Sequence, residues 1–234
     1  QQAMDFVRST LWRDGKLLAT CKDGKAHLNA YLDDHAFLLN ALLELLQAEY
    51  RTVDLTFATQ LADALLERFE DRKDGGFFFT SHDHEVLIQR NKTGMDNATP
   101  SGNGITAQAL LRLSELTGER RYANAAERCL KLYFPALQRA AAYHSSLCTA
   151  LVEYLQPASV LVLRGTASEA NSWQNALRTR YLPSVMTIGL PDDAADLPDA
   201  LDKPIGKQTT AWLCRGTQCL PPITSLDELL EQFK

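Results

Sequence analysis

Two loop-to-helix junctions concentrate the residue types that move protons. The first is Tyr31-Leu32-Asp33-Asp34-His35, which runs into the nearly all-apolar stretch Ala36 to Leu46. The second is Asp96-Asn97-Ala98-Thr99-Pro100-Ser101-Gly102-Asn103, which leads into the apolar stretch from Ile105 to Leu116. Carboxylates from separate segments sharing a partly dry pocket push their pKa values apart, leaving one acid and one base. Such a pair serves glycoside hydrolysis. An imidazole with an Asp neighbour suits proton abstraction next to a carbonyl instead. Asp34 and Asp96 are therefore the acid/base candidates, with His35 as helper or base. Tyr31, Asp33, Asn97, Ser101, Asn103 and Phe78 are the candidates for holding a substrate. The same residue types have a plainer use. Asp33, Asp34 and Ser101 suit helix N-caps, and acids in a first turn complement the helix dipole.

The remaining chemistry-bearing residues are less specific. His35 sits at a helix start, where the dipole disfavours its protonation; a neutral base and a buried hydrogen-bonding residue both fit. His144 is placed to open a third apolar helix at the same mouth. His82 and His84, in Ser81-His82-Asp83-His84-Glu85, resemble a metal pair. Alternation within a hairpin turn puts both on one solvent-facing side, however. Phe77, Phe78 and Phe79 follow a Gly-Gly turn and either stack on a sugar or simply pack. Cys214 and Cys219 flank a turn at a spacing open to a zinc half-site or a disulfide. A zinc site needs about four ligands, and no second Cys/His pair offers itself clearly, so a metal is disfavoured. Neither a metal nor a cofactor is expected.

Positioning these residues requires a helical scaffold. Up to about Gln156 the apolar period is helical. Ala36 to Leu46 is apolar nearly all round, as in a helix enclosed by others. Leu55 to Phe69 has a single apolar stripe, as in an outer, half-exposed helix. Ile105 to Leu116 (inner), Tyr122 to Phe134 (outer) and Leu147 to Leu155 (inner) repeat the alternation, which marks stacked helical hairpins. If the inner helices run parallel, both junctions open at one mouth. From Pro157 the pattern changes. Val160 to Leu163 reads as a strand buried on both faces, Ala167 to Tyr181 as a helix and Ser184 to Ile188 as a second strand. That order implies a parallel pair with a right-handed crossover. Thr210 to Cys214 fits a third strand, and Ser225-Leu226-Asp227-Glu228 a capping box opening a last helix. The expected fold is mostly α: a partial (α/α) toroid over residues 1–156, then a small α/β domain over 157–234 with a short parallel sheet.

Composition narrows the partners. The 234 residues are 45% hydrophobic, which excludes wholesale disorder, and the net charge of −5 argues against a phosphate-backbone binder. No run approaches the ~18 apolar residues of a membrane helix, so neither nucleic acid nor membrane is an expected partner. No glycine-rich phosphate motif follows the strand at Val160. Five dispersed cysteines suit a reducing compartment, and the expected location is cytoplasmic. The chain begins at Gln1, inside a helix-like stretch, as a piece of something longer would.

Several segments, in order, resemble the YyaL family, whose animal members are spermatogenesis-associated proteins with a thioredoxin-like N-terminus. They are Gly24-Lys25-Ala26-His27-Leu28 through Ala36, Gly75-Gly76-Phe77-Phe78, Asp96 through Asn103, and Cys214-x4-Cys219-Leu220-Pro221-Pro222-Ile223-Thr224. The resemblance covers essentially the whole chain. It implies roughly half of a six-hairpin toroid, similar to those of N-acylglucosamine 2-epimerases and glycoside hydrolases, plus the terminal α/β segment. It also implies a thioredoxin-like domain as partner in the full-length chain. Two functions follow as expectations. One is an epimerase- or glycosidase-like pocket that acts on or binds a sugar or small polar ligand. The other is a non-catalytic module that binds a ligand or the thioredoxin-like domain. A shared fold does not decide between them.

Overall fold

A computed structural model describes residues 1–85, 88–206, 208–216 and 218–233. The chain opens with a short helix, α1 (Gln2–Phe6), continued by one π-helical turn over Val7–Leu11. A three-stranded meander follows: β1 (Trp12–Arg13), β2 (Lys16–Lys22) and β3 (Lys25–Asn29). Its two turns, Asp14-Gly15 and Asp23-Gly24, have positive φ at both residues. That is the conformation whose twist matches antiparallel strands.

Five helices build the body: α2 (Leu32–Ala48), α3 (Thr52–Arg68), α4 (Gly102–Thr117), α5 (Arg120–Ala140) and α6 (Ser145–Leu155). α2, α4 and α6 pack side by side as an inner layer, while α3 lies on α2 and α5 on α4. Inner and outer helices alternate along the chain, as the apolar patterns require, giving a partial (α/α) toroid. α4 is the most enclosed. Its buried residues run from Gly102 to Leu116 and cover every face, because it touches α2, α5 and α6 at once.

Two expectations for the outer helices change. α3 buries Phe57 and Ala64 as well as its apolar stripe. The N-terminal segment accounts for Phe57, since Trp12 packs edge-on against it; nearby, fully buried Asp54 holds Arg8 of that segment at 3.2 Å and its own neighbour Arg51 at 2.6 Å. α5 keeps its single buried stripe but runs through Pro135 to Ala140, beyond the expected end at Phe134.

The C-terminal part forms a four-stranded sheet in the order β5-β4-β6-β7. β4 (Ser159–Arg164) pairs in parallel with β5 (Val185–Leu190) across the helix α7 (Ala167–Arg178), as the β–α–β pattern implies. β6 (Thr210–Arg215) and β7 (Gln218–Cys219) are antiparallel, so the sheet is mixed. All six residues of β4 are buried. Val160 and Val162 face the leucines of the helical layer; Leu161 and Leu163 face α7 and the last helix, α8 (Leu226–Glu231). Ser225 precedes α8 but makes no side-chain cap bond, so the expected capping box does not form. β5 lies against α2, and Gln174 and Arg178 of α7 donate to the terminal α2 carbonyls of Gln47 and Ala48 at 2.8 and 3.0 Å. Among the described residues no helix is long and apolar enough to cross a membrane.

Two glycines let the inner helices meet. A Cβ on Gly102 would collide with Asp33 and Leu32 of α2, and one on Gly104 with Ser146 and Leu147 of α6. Gly104→Ala is informative because two effects oppose. Alanine gains about 1 kcal/mol of helix propensity, while overpacking costs about 1–3 kcal/mol. Urea denaturation of this variant is expected to show a net loss of about 1 kcal/mol; a gain would mean that α4 and α6 do not approach this closely.

Candidate functional site

The starts of α2, α4 and α6 come together at one end of the body, so both junctions do share a mouth. Asp33 of α2 lies against Gly102 at the start of α4, and Gly104 lies against Ser146 at the start of α6. Asp96 ties this end together. Its Oδ1 accepts from the Ser101 N–H at 2.8 Å and from the Ser146 hydroxyl, and its Oδ2 accepts from the Ser146 N–H at 2.8 Å. Ser101 caps α4 by accepting from the Gly104 N–H at 3.1 Å, and its hydroxyl reaches that of Ser146 at 3.2 Å. Gln108, one turn further along α4, donates to the Ser146 carbonyl at 2.7 Å. One carboxylate thus joins a loop and two helix starts.

Burial alone would push the Asp96 carboxyl up. The hydrogen bonds from Ser146 and Ser101, with the nearby charge of His144, outweigh it and hold Asp96 below the ordinary carboxylate value. Asp33 behaves in the opposite way. Burial and the neighbouring charge of Asp34 raise its pKa, against a hydrogen bond from the Gly102 N–H. Asp34 itself accepts from the Tyr31 N–H at 2.8 Å, so it closes the first turn of α2.

His35 is turned away from Asp96. Only 2% of it is exposed, its Nδ1 lies 2.8 Å from the Tyr31 carbonyl, and its ring leans on Phe69. A carbonyl partner requires the proton on Nδ1. Burial lowers its pKa, with Arg68 adding to this, against the Tyr31 carbonyl and Asp34. The neutral form of the imidazole is therefore favoured. It borders a separate small hollow with Arg68, Ser81 and Asp83.

Asn103 is fully buried and pins a loop: Oδ1 accepts from the Phe77 N–H at 2.7 Å, while Nδ2 donates to the Phe77 and Thr93 carbonyls. Phe77 is buried, and the Phe78 ring carries Arg90 at 4.1 Å and Lys92 at 5.1 Å from its centre. Tyr31 stacks on Phe79 at 4.8 Å and on His84 at 5.3 Å. His84 is thus half-buried in an aromatic stack rather than sharing a solvated side with His82. Asn97 is exposed, on the rim of an open hollow of about 620 Å³ beside Asp96. Thr99, Gln108, Tyr143, Ser145 and Thr149 also line it. The structure therefore brings Asp96, Asn97 and Ser146 to one hollow, Asp33 to the adjoining α2–α4 contact, leaves Asp34 in the first turn of α2, and puts His35 elsewhere. Ser146 and Gln108 are not among the sequence candidates; the Ser145-Ser146 pair ahead of Leu147 is the signal that marks Ser146, and nothing local marks Gln108.

These features define a layered helical-hairpin protein with a polar mouth and a small α/β end. No family model matches the chain. Human spermatogenesis-associated protein 20 is 27% identical over 232 residues, covering 92% of this chain and 30% of that protein. The rat protein of the same name is 26% identical over 208 residues, covering 85% of this chain and 26% of its own length. Homologues of that name therefore span nearly all of this chain, which bears out the resemblance carried by the motif segments. The chain spans less than a third of their length. Among solved structures, the family 8 endoglucanase Cel10 of Klebsiella pneumoniae aligns over 58% of this chain and 39% of its own, at 16% identity and a TM-score of 0.43. The cellobiose 2-epimerase of Spirochaeta thermophila aligns over 56% and 35%, at 22% identity and a TM-score of 0.43.

Asp96 provides a stability test. Its depressed pKa contributes stability that is present above the unfolded value of about 4 and is lost as pH falls through the lower folded value. Asp96→Asn is expected to lose about 2–4 kcal/mol at pH 7, since hydrogen bonds to a charged group are worth about 1.5–3 kcal/mol. Its acid unfolding curve should also be flatter below pH 4. Equal stability of the two proteins would show that the carboxylate holds nothing together.

Proposed function

We propose that this chain provides a recognition surface for a carbohydrate or similar polyhydroxylated ligand, and that it acts by binding. The supporting observation is the division of labour around Asp96. The carboxylate itself is occupied by three donors, while the hollow beside it offers the hydroxyls of Ser145 and Thr149, the amide of Asn97 and an exposed Tyr143 ring. Neutral hydroxyl and amide partners match the alternating donors and acceptors of a sugar, and an aromatic face matches its apolar side. Asp34 closes a helix turn, and His35 borders a different hollow. These separate duties argue against Asp34, His35 and Asp96 acting on one substrate position.

A catalytic reading draws support from Asp33. A carboxyl with a raised pKa beside a second carboxylate is what a general acid requires. In an enzyme of the epimerase or glycosidase type, Asp33 would donate the proton. The thioredoxin-like domain implied by the family resemblance is a further proposed partner.

Titration calorimetry with a panel of mono- and disaccharides tests the binding proposal. At least one sugar is expected to bind, with affinity weakened about tenfold or more in Tyr143→Ala, equivalent to about 1.4 kcal/mol, and circular dichroism unchanged. No binding by the unaltered chain, or equal binding by the variant, would contradict it. Turnover of a bound sugar that disappears in Asp33→Asn would establish the catalytic reading instead.

A further inference from the structure

The β6–β7 hairpin carries a disulfide between Cys214 and Cys219, which stand directly opposite each other in the antiparallel ladder. The backbone holds this pair together independently of the bridge. Arg215 pairs with Gln218 on the turn side, and on the other side the Leu220 N–H donates to the Leu213 carbonyl at 2.9 Å. Ala211 and Ile223 form a further bridge between the same two segments. The disulfide closes a loop with a sequence separation of only 5. A bridge over so short a loop restricts the unfolded chain less than one over a long loop, and the ladder pairs these strands without it.

The two sulfurs also differ in access. Cys214 is 5% exposed, on a strand inside the sheet, whereas Cys219 is exposed, on a two-residue strand at the sheet edge. Cys21, Cys129 and Cys148 remain free thiols in the same molecule. Beneath the hairpin, the Gly216 N–H donates to the Glu115 carboxylate of α4. A change in the turn is therefore felt by the most enclosed helix of the body.

We propose that the Cys214–Cys219 hairpin is a thiol–disulfide exchange site that accepts electrons from a dithiol through the exposed sulfur of Cys219. A thiolate of the dithiol attacks the Cys219 Sγ. The S–S bond breaks, and the Cys214 Sγ departs with the electron pair and takes up a proton. The second thiol of the dithiol, once deprotonated, attacks its own partner sulfur in the mixed disulfide. Cys219 leaves as a thiolate and is protonated in turn. The hairpin gains two electrons and two protons, and the dithiol becomes a disulfide. Loss of the bridge frees the turn that rests on Glu115 while the ladder keeps the strands paired.

The folded chain is treated with dithiothreitol without denaturant, quenched with iodoacetamide and mapped by mass spectrometry, with circular dichroism recorded in parallel. Cys219 is expected to be alkylated while the spectrum is unchanged, and buried Cys214 and Cys129 to react at least about tenfold less, since access governs the rate. A second experiment tests direction with oxidised glutathione. Cys219 in Cys214→Ser is expected to form the mixed disulfide at least about tenfold faster than Cys214 in Cys219→Ser. A bridge that opens only when the protein unfolds would overturn the proposal, as would equal glutathione uptake by the two variants.

Discussion

Asp96 is the interaction on which the mouth of this protein depends. Three inner helices begin at one end of the body, and each brings unsatisfied N–H groups to that end. Buried and unpaired, such groups cost about 1–3 kcal/mol each. The Asp96 carboxylate meets the Ser101 and Ser146 amides with its two oxygens, and Ser101 meets the Gly104 amide in turn. A negative charge is also well placed where the positive ends of two helix dipoles converge. The close approach this allows is visible in Gly102 and Gly104, where no side chain fits. Remove the carboxylate, and α4 and α6 share a gap lined with orphan donors.

That structural demand shapes what the mouth does. The residues with the most obvious catalytic character are those with the most structural duties. Asp34 closes a turn, Asn103 holds the Phe77 backbone from both sides, and His35 is packed against Phe69. Groups with lighter duties lie around them: Asn97, the exposed Tyr143, and the Ser145 and Thr149 hydroxyls, which donate only to backbone carbonyls of their own segment and keep their acceptor sites. Asp33 stands between the two sets, bound to one amide yet with its proton affinity raised. In the binding we propose, recognition falls to the rim and rigidity to the centre, a division that keeps a polar surface preorganised.

The helical layout was legible because each inner helix is apolar on several faces and each outer helix on one. So was the parallel pair, from the continuous run Val160 to Leu163 around which α7 crosses. What stayed hidden depends on long-range partners. Asp96 reads as a catalytic candidate by type and spacing, but its main partner, Ser146, lies fifty residues further along. Phe57 lies outside the single apolar stripe of α3, and nothing local announces that Trp12 will cover it. Alternation within the turn at 82–85 predicts a solvent-facing His84 but does not hold there; Tyr31, from another segment, supplies the stacking surface. Ser225 has the sequence of a cap without the bond. Local pattern fixes elements, whereas the duty of a polar side chain is set by what the fold brings beside it.

The central claim is that Asp96 and Ser146 are energetically coupled as the clamp between α4 and α6. A double-mutant cycle of Asp96→Asn and Ser146→Ala, followed by urea denaturation at pH 7, measures that coupling directly. An interaction energy of about 1–3 kcal/mol is expected for contacting members of one hydrogen-bond network. Additive losses, with a coupling below about 0.3 kcal/mol, would show that the mouth is held by other means.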